Sequence, residues 1–434
     1  MGSIDGKHSV PADEQRGFAL SVVQKLRSAG FQSLWAGGCV RDALLGIEPS
    51  DYDVATDAPP EEVIRLFGKR RTVPVGASFG VVMVLDPAHR ASPVEVATFR
   101  SDGQYVDGRR PVSVQFSSPE EDAQRRDFTI NGMFFDPIEE QVIDYVGGHQ
   151  DLQQRIVRAI GDAQARLTED KLRMLRAIRF ASTYDFSLDG ATFQAIQNLR
   201  EQICQVSIER IAQELRRMFA HSSRPRSLMQ LSATGLLTVL FPFVPTDDDL
   251  RFVSDLEEKF AVLHLNRHET AFALLFDHLY VNDGENLRHR LKDVAAECRK
   301  MRFSNDETDT IGWLIEKSSV CRRGDSLPPH ILKPMLADQR HPLLIDLLRS
   351  QESAQPAERQ ACMLLVDSLK KWTAEELSPQ PLIDGETLKH LGISPGPQFS
   401  QVLAAIRREQ LDELIATPSE ATARVKELLA NSTG

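Results

Sequence analysis

The chain has 434 residues, 26% of them charged and 41% hydrophobic, with a formal net charge of −11. The length implies roughly two to four domains, and the acidic balance argues against a nonspecific polyanion binder. No apolar run approaches the ~20 residues needed to span a bilayer, Met1 to Gln15 lacks a signal-peptide core, and the five cysteines are widely spaced with no CxxC, so a cytoplasmic protein with buried free thiols and no membrane association is expected.

Residues 11–30 read as a helix ended by Gly30, with Phe18, Ala19, Val22, Val23 and Leu26 on one face. Phe31 to Ala36 reads as a strand, and Arg41 to Leu45 as a short helix stopped by Gly46. Between them, Gly37 and Gly38 let backbone amides approach a bulky anion with no Cβ in the way. Asp51 and Asp53 stand one residue apart, on one face if the segment is a strand. Two such carboxylates suit a hard divalent cation such as Mg²⁺. A phosphate cradle beside metal carboxylates reads as phosphoryl transfer from a nucleoside triphosphate. Pro59 and Pro60 open a helix through Phe67. Val73–Val75, Val81–Leu85 and Val94–Phe99 are β-rich. Glu95 interrupts the last of these runs, as a third carboxylate or as a solvent-facing strand residue. A polar, glycine-punctuated loop fills 100–113.

Residues 120–131 place Arg125, Arg126, Asp127 and Asn131 around an expected strand start. Arg126 could hold a phosphate or ribose and Asp127 or Asn131 a sugar hydroxyl, or the cluster could be surface ion pairs. After about residue 150 the pattern is helical almost throughout, so the chain is α+β: a mixed head, then an all-α remainder. Six arginines and Lys171 between Arg155 and Arg179 face only Asp162, Glu169 and Asp170, which fits a solvated helix face or a stripe for one defined RNA. Thr168 to Arg173 resembles a helix start with Asp170 and Arg173 on one face. That pair is a simple helix salt bridge, or it reads a base. A carboxylate with a guanidinium matches the amino donor and ring acceptor of cytosine and of adenine, and opposes guanine and uracil. Arg176 and Arg179 continue at the same spacing and could reach a triphosphate.

The order GGxVRD (Gly37 to Asp42), DxD (Asp51 to Asp53), RRDFTxN (Arg125 to Asn131) and EDxxRxxRAxRF (Glu169 to Phe180) resembles the class II tRNA nucleotidyltransferases. These CCA-adding enzymes, with the bacterial poly(A) polymerases, form one family within the DNA polymerase β superfamily. Val206 to Arg210 with Glu214 is similar to the family's fifth motif, and Ile383 to Gly385 with Leu391 to Pro397 to its bacterial tail. The resemblance implies a polymerase-β-like nucleotidyltransferase head at 1–150, a small mixed sheet with helices. It implies an all-α neck at 151–245 that recognises the base, and an all-α body and tail at 246–434 that bind RNA. Asp51 and Asp53 would hold two Mg²⁺ ions, with Glu95 a third catalytic carboxylate. Gly37, Gly38 and Arg41 would bind the triphosphate, Arg126 with Asp127 and Asn131 the sugar–phosphate, Asp170 and Arg173 the base, and Arg176 and Arg179 the phosphates. The substrates implied are CTP, ATP and the tRNA 3′ end, held by its acceptor stem and T-arm.

CCA addition is the first reading. Poly(A) polymerase is second, because Ala77-Ser78-Phe79 stands where those relatives carry a basic patch. CC-only or A-only addition is third: Asp102 to Pro111 resembles the loop that CC-only relatives lack and that A-only relatives keep. His264, His268-Glu269 and Asp277-His278 raise a metal phosphohydrolase site, but the dipeptide runs Asp-His rather than His-Asp, and these residues read as ordinary helical ones.

Overall fold

The structure, a computed structural model, describes residues 12–76, 80–102, 114–244, 249–279, 286–322, 327–351, 356–391, 393 and 396–430. Ala77 to Phe79, most of the loop at 102–111, and Gly392, Ser394 and Pro395 lie outside the described residues. The chain forms two compact units, Met1–Met218 with Arg226–Thr246, and Phe219–Pro225 with Asp247–Gly434.

The first unit opens with α1 (Ala12–Ser28), acidic in its first turn and basic in its last, as the helix dipole favours. Its apolar stripe, Phe18 through Leu26, is buried. Gly30 follows at φ +90, a value that suits glycine, and β1 (Ser33–Ala36) begins two residues later than Phe31. Gly37, at φ 74 and ψ −122, turns the chain straight into α2 (Gly38–Leu44), so that helix starts three residues before Arg41. After it come β2 (Asp53–Thr56), α3 (Pro60–Phe67), β3 (Thr72–Gly76), β4 (Val81–Val84), β5 (Val94–Thr98), β6 (Arg100–Asp102), β7 (Val114–Phe116), α4 (Pro119–Gln124), β8 (Phe134–Asp136) and β9 (Gln141–Ile143). Among the described residues the main sheet has the order β3-β4-β5-β2-β1-β8-β9. It is mixed: β2 and β5 run parallel, with Asp53 opposite Glu95, while the other neighbours are antiparallel. Leu34, Ala36, Ala55, Phe99, Ala123 and Phe134 form a core cluster.

β2 begins at Asp53, so Asp51 stands just before it. Two local expectations change. Thr129–Asn131 is a 3-10 turn, not a strand start, because the Asp127 carboxylate accepts from the Phe128 amide and the Asn131 side chain and curls the segment. The helical remainder also holds a two-residue parallel ladder, β10 (Ile156–Val157) with β11 (Ser187–Leu188). Along it run α5 (Gly148–Gln154), α6 (Ala163–Glu169), α7 (Arg173–Thr183), α8 (Gly190–Leu199) and α9 (Ile208–Ala220).

The second unit is helical among its described residues. Among its described residues the histidines form no metal-binding cluster. Asp277 is buried and accepts from Arg290 and Arg322, each at 2.7 Å. His278 lies 4.6 Å from the Phe252 ring, and burial, with Lys259 beside it, pushes it down to about 4. His268 meets Glu307 at 2.9 Å. Asp277 is thus committed to two guanidiniums, and no cluster suited to a metal forms among the described residues. Cys39, Cys298, Cys321 and Cys362 are buried as expected, but Cys204 is exposed.

One glycine links fold and site. A Cβ on Gly148 would overlap the Thr129 carbonyl oxygen and come within 2.8 Å of Met133 Cγ. Gly148→Ala should therefore cost about 1–3 kcal/mol of stability in urea unfolding. An unchanged midpoint would show that the turn at 129–131 can shift freely.

Candidate active site

In the first unit a cavity of about 600 Å³ is lined by Gly37, Gly38, Arg41, Asp51, Asp53, Arg100, Arg125, Arg126, Asp127, Asn131, Asp170, Arg173, Arg176 and Phe180. One pocket thus gathers all three sequence clusters. Two predicted residues do not line it. Glu95 does not line it, although β5 pairs it with Asp53 on the neighbouring strand. Arg179 is drawn to the buried Glu214 of α9, whose carboxylate accepts from its Nε at 2.6 Å.

The arginines are locked by neighbours. Arg41 is buried, donates from Nε to Asp42 at 2.9 Å and from Nη1 to Asn131, and stacks over the rings of Phe180 and Tyr184 at 5.1 and 4.5 Å. The Tyr184 hydroxyl donates to the same Asp42 at 2.8 Å, and burial pushes that phenol up to about 12. Arg125 and Arg126 share the buried Asp122: Arg125 reaches one carboxylate oxygen at 2.7 and 2.9 Å, Arg126 the other at 2.9 and 3.2 Å. A Cβ on Gly37 would stand 2.9 Å from Arg126 Nη1, which is a second reason for glycine there. Arg176 grips Asp127 with two bonds of 2.6 and 2.9 Å. Arg173 donates to Glu169 at 2.7 Å and to the carbonyls of Arg166 and Arg125.

Asp170 and Arg173 are not on one helix. α6 ends at Glu169, Asp170 is extended (φ −139, ψ 104), and α7 begins at Arg173. The Asp170 carboxylate caps the Leu172 amide at 3.1 Å and pairs with Arg210, not with Arg173. The basic stripe is likewise not a solvated face: Arg158, Arg166, Arg173, Arg176 and Arg179 all have carboxylate partners. Arg100, Arg125 and Phe180 line the pocket, and Asp122 and Arg210 hold its charges, without having been singled out from the sequence. Arg125, Phe180 and Arg210 sit inside the quoted motifs, so position there was a usable signal; Arg100, which opens β6, had none.

Asp51 and Asp53 give the pocket an anionic wall. Asp53 sits among protein atoms that push its carboxyl up, Glu95 and Asp51 push it further, and Arg126 only partly offsets them, leaving it at about 7. A hard divalent cation would relieve that crowding. Among the described residues no three His, Cys, Asp or Glu side chains close into a cage for an ion. Two carboxylates completed by water and substrate phosphate oxygens is the pattern that suits Mg²⁺, and the residues present fit it.

For Asp127, burial pushes the carboxyl up, but the Arg176 guanidinium and the Asn131 amide pull it further down, to about 2. Its folded value lies below its unfolded one, so it adds stability above about pH 4 that is lost as pH falls toward 2, about 2.5 kcal/mol in all. Asp127→Asn should lower stability at pH 6 by roughly that amount and narrow the loss between pH 6 and pH 3. Urea unfolding at the two pH values checks this, and an unchanged acid loss would contradict it.

The chain matches the Poly A polymerase head domain family at residues 34–158, and the family described as probable RNA and SrmB-binding site of polymerase A at 185–246. It is 32% identical over 422 residues to a CCA-adding enzyme of Streptococcus thermophilus, covering 95% of this chain and 96% of that one. It is 40% identical over 237 residues to a CCA-adding enzyme of Geobacillus stearothermophilus, covering 54% and 57% of the two chains. Its fold is similar to the crystal structure of the Bacillus stearothermophilus CCA-adding enzyme in complex with CTP, with a TM-score of 0.79, 28% identity and coverage of 98% and 99%. Alignment over nearly the full length of both chains at that identity leaves one conclusion: the chain belongs to the family of CCA-adding enzymes, the tRNA nucleotidyltransferases with a poly(A)-polymerase head.

Proposed function

We propose that this protein adds C, C and A to the 3′ end of tRNA, using CTP and ATP and no nucleic-acid template. The observation that carries the reading is that one pocket holds paired carboxylates on one wall and an aspartate and an arginine for a base on another. Asp51 and Asp53 would hold Mg²⁺, with Glu95 on the strand beside Asp53. When bound, the metal would favour deprotonation of the tRNA 3′-hydroxyl and stabilise the departing diphosphate. Gly37 and Gly38 leave room for phosphate, and Arg41, Arg126 and Arg176 present donors already held in place. Asp127 and Asn131, bonded to each other, face the sugar. Asp170 accepts from an exocyclic amine and Arg173 donates to the ring nitrogen beside it, the pattern that cytosine and adenine share. Residues 1–150 act as the catalytic head, 151–245 as the base-recognising neck and 246–434 as the RNA-binding body and tail, in a cytoplasmic enzyme.

A gel of tRNA lacking its CCA end tests the reading. CTP and ATP together should complete the three nucleotides, whereas long A tails from ATP alone would indicate a poly(A) polymerase. Asp51→Ala should abolish incorporation and leave tRNA binding within about twofold, since a loss of binding of 1 kcal/mol would already be about fivefold. Retained turnover would remove the metal assignment.

A further inference from the structure

Asp170 and Arg173 are three residues apart and oppositely charged, so their cheapest arrangement is to pair with each other. That pair would cover both edges meant for a base. The structure does otherwise. Arg210 of α9 grips Asp170 from outside the pocket, with Nη2 donating to Oδ2 at 2.7 Å and Nη1 to Oδ1 at 3.2 Å. Both side chains are largely shielded, with 21% and 15% of their surface exposed. Arg210 is not among the residues lining the pocket, while Asp170 is.

We propose that Arg210 is a positioning residue for base selection: it fixes the plane of the Asp170 carboxylate and keeps it from turning onto Arg173. This rests on the reading of Asp170 and Arg173 as the base-selecting pair. Lone-pair accounting shows what the grip leaves. A carboxylate has about four acceptor positions. Arg210 uses one on each oxygen, and the Leu172 amide uses a second on Oδ1 at 3.1 Å. One acceptor on Oδ2 remains, with its direction set by the two-pronged contact. Such a group meets a single amino donor and rejects a carbonyl. Arg173 is held apart in the same way, with Nη1 donating to Glu169 and to the Arg166 carbonyl. Remove Arg210, and Asp170 gains the freedom to pair with Arg173. The protein should still turn over, but it should choose bases less well.

The test measures kcat and KM for CTP and for UTP with the full-length protein and tRNA lacking its 3′ end, in wild type, Arg210→Ala and Arg210→Lys. The preference for CTP over UTP in kcat/KM should fall about 10- to 100-fold in Arg210→Ala, the range of one misplaced hydrogen-bonding group. The fall should lie mainly in a raised KM for CTP, and Arg210→Lys should recover part of it. If Arg210→Ala does not fold, Arg210→Gln, which keeps one donor nitrogen, should show a smaller loss of the same kind. An unchanged CTP-to-UTP preference overturns the proposal, and so does an equal fall for both nucleotides, which is what a merely structural role gives. A wild type indifferent to CTP and UTP would instead overturn the underlying reading of Asp170 and Arg173, and this inference with it.

Discussion

Acids that clamp arginines are the constraint on which this site rests. The pocket has six arginines and four aspartates on its walls. Six long guanidinium side chains left free would repel one another and spread over many rotamers, each with a substantial entropy cost to fix on substrate binding. Here Asp42, Asp122, Asp127 and Glu169 fix Arg41, Arg125 with Arg126, Arg176 and Arg173 before any substrate arrives. Losing one partner would leave the other charge unpaired in a shielded site, which costs stability. The acids are therefore tied to the fold as much as to the chemistry. A triphosphate entering this pocket meets donors that need little rearrangement, which is the condition for electrostatic stabilisation to be effective.

The clamps also join the sheet to the helices. Asp42 stands on α2 and bonds to Tyr184 just past α7. Asp127 follows α4 and holds Arg176 of α7. Arg210 of α9 holds Asp170 between α6 and α7. The wall with Asp51 and Asp53 and the wall with Asp170 and Arg173 are set against each other by these charged contacts and by the ring of Phe180, which carries Arg41 on one count and Arg176 and Arg179 on others. The separation of the two walls is thereby fixed by the protein, which the proposed reading requires, since no template strand would then align the nucleotide.

Much of this was legible in the sequence because its cause is local. Gly37 and Gly38 demand a conformation and a space that larger residues do not allow, and the alternation and β-branching of residues 81–84 and 94–98 define strands without reference to the rest of the chain. What was not legible is set by distant partners. Arg179 has the same spacing as Arg173 and Arg176, yet it turns to Glu214, 35 positions away. Asp170 has an arginine three residues on, yet its partner is 40 positions away. Helical periodicity says which residues can share a face, not which counter-charge from another helix will claim them.

The central claim is that amino-acid side chains select the incoming base. A crystal structure of this protein with CTP tests it most directly. The cytosine amino nitrogen should lie about 3 Å from the Asp170 carboxylate and the ring acceptor about 3 Å from the Arg173 guanidinium, normal hydrogen-bond distances. A triphosphate seated on Arg41 and Arg126 with its base edge turned away from both residues would contradict the account.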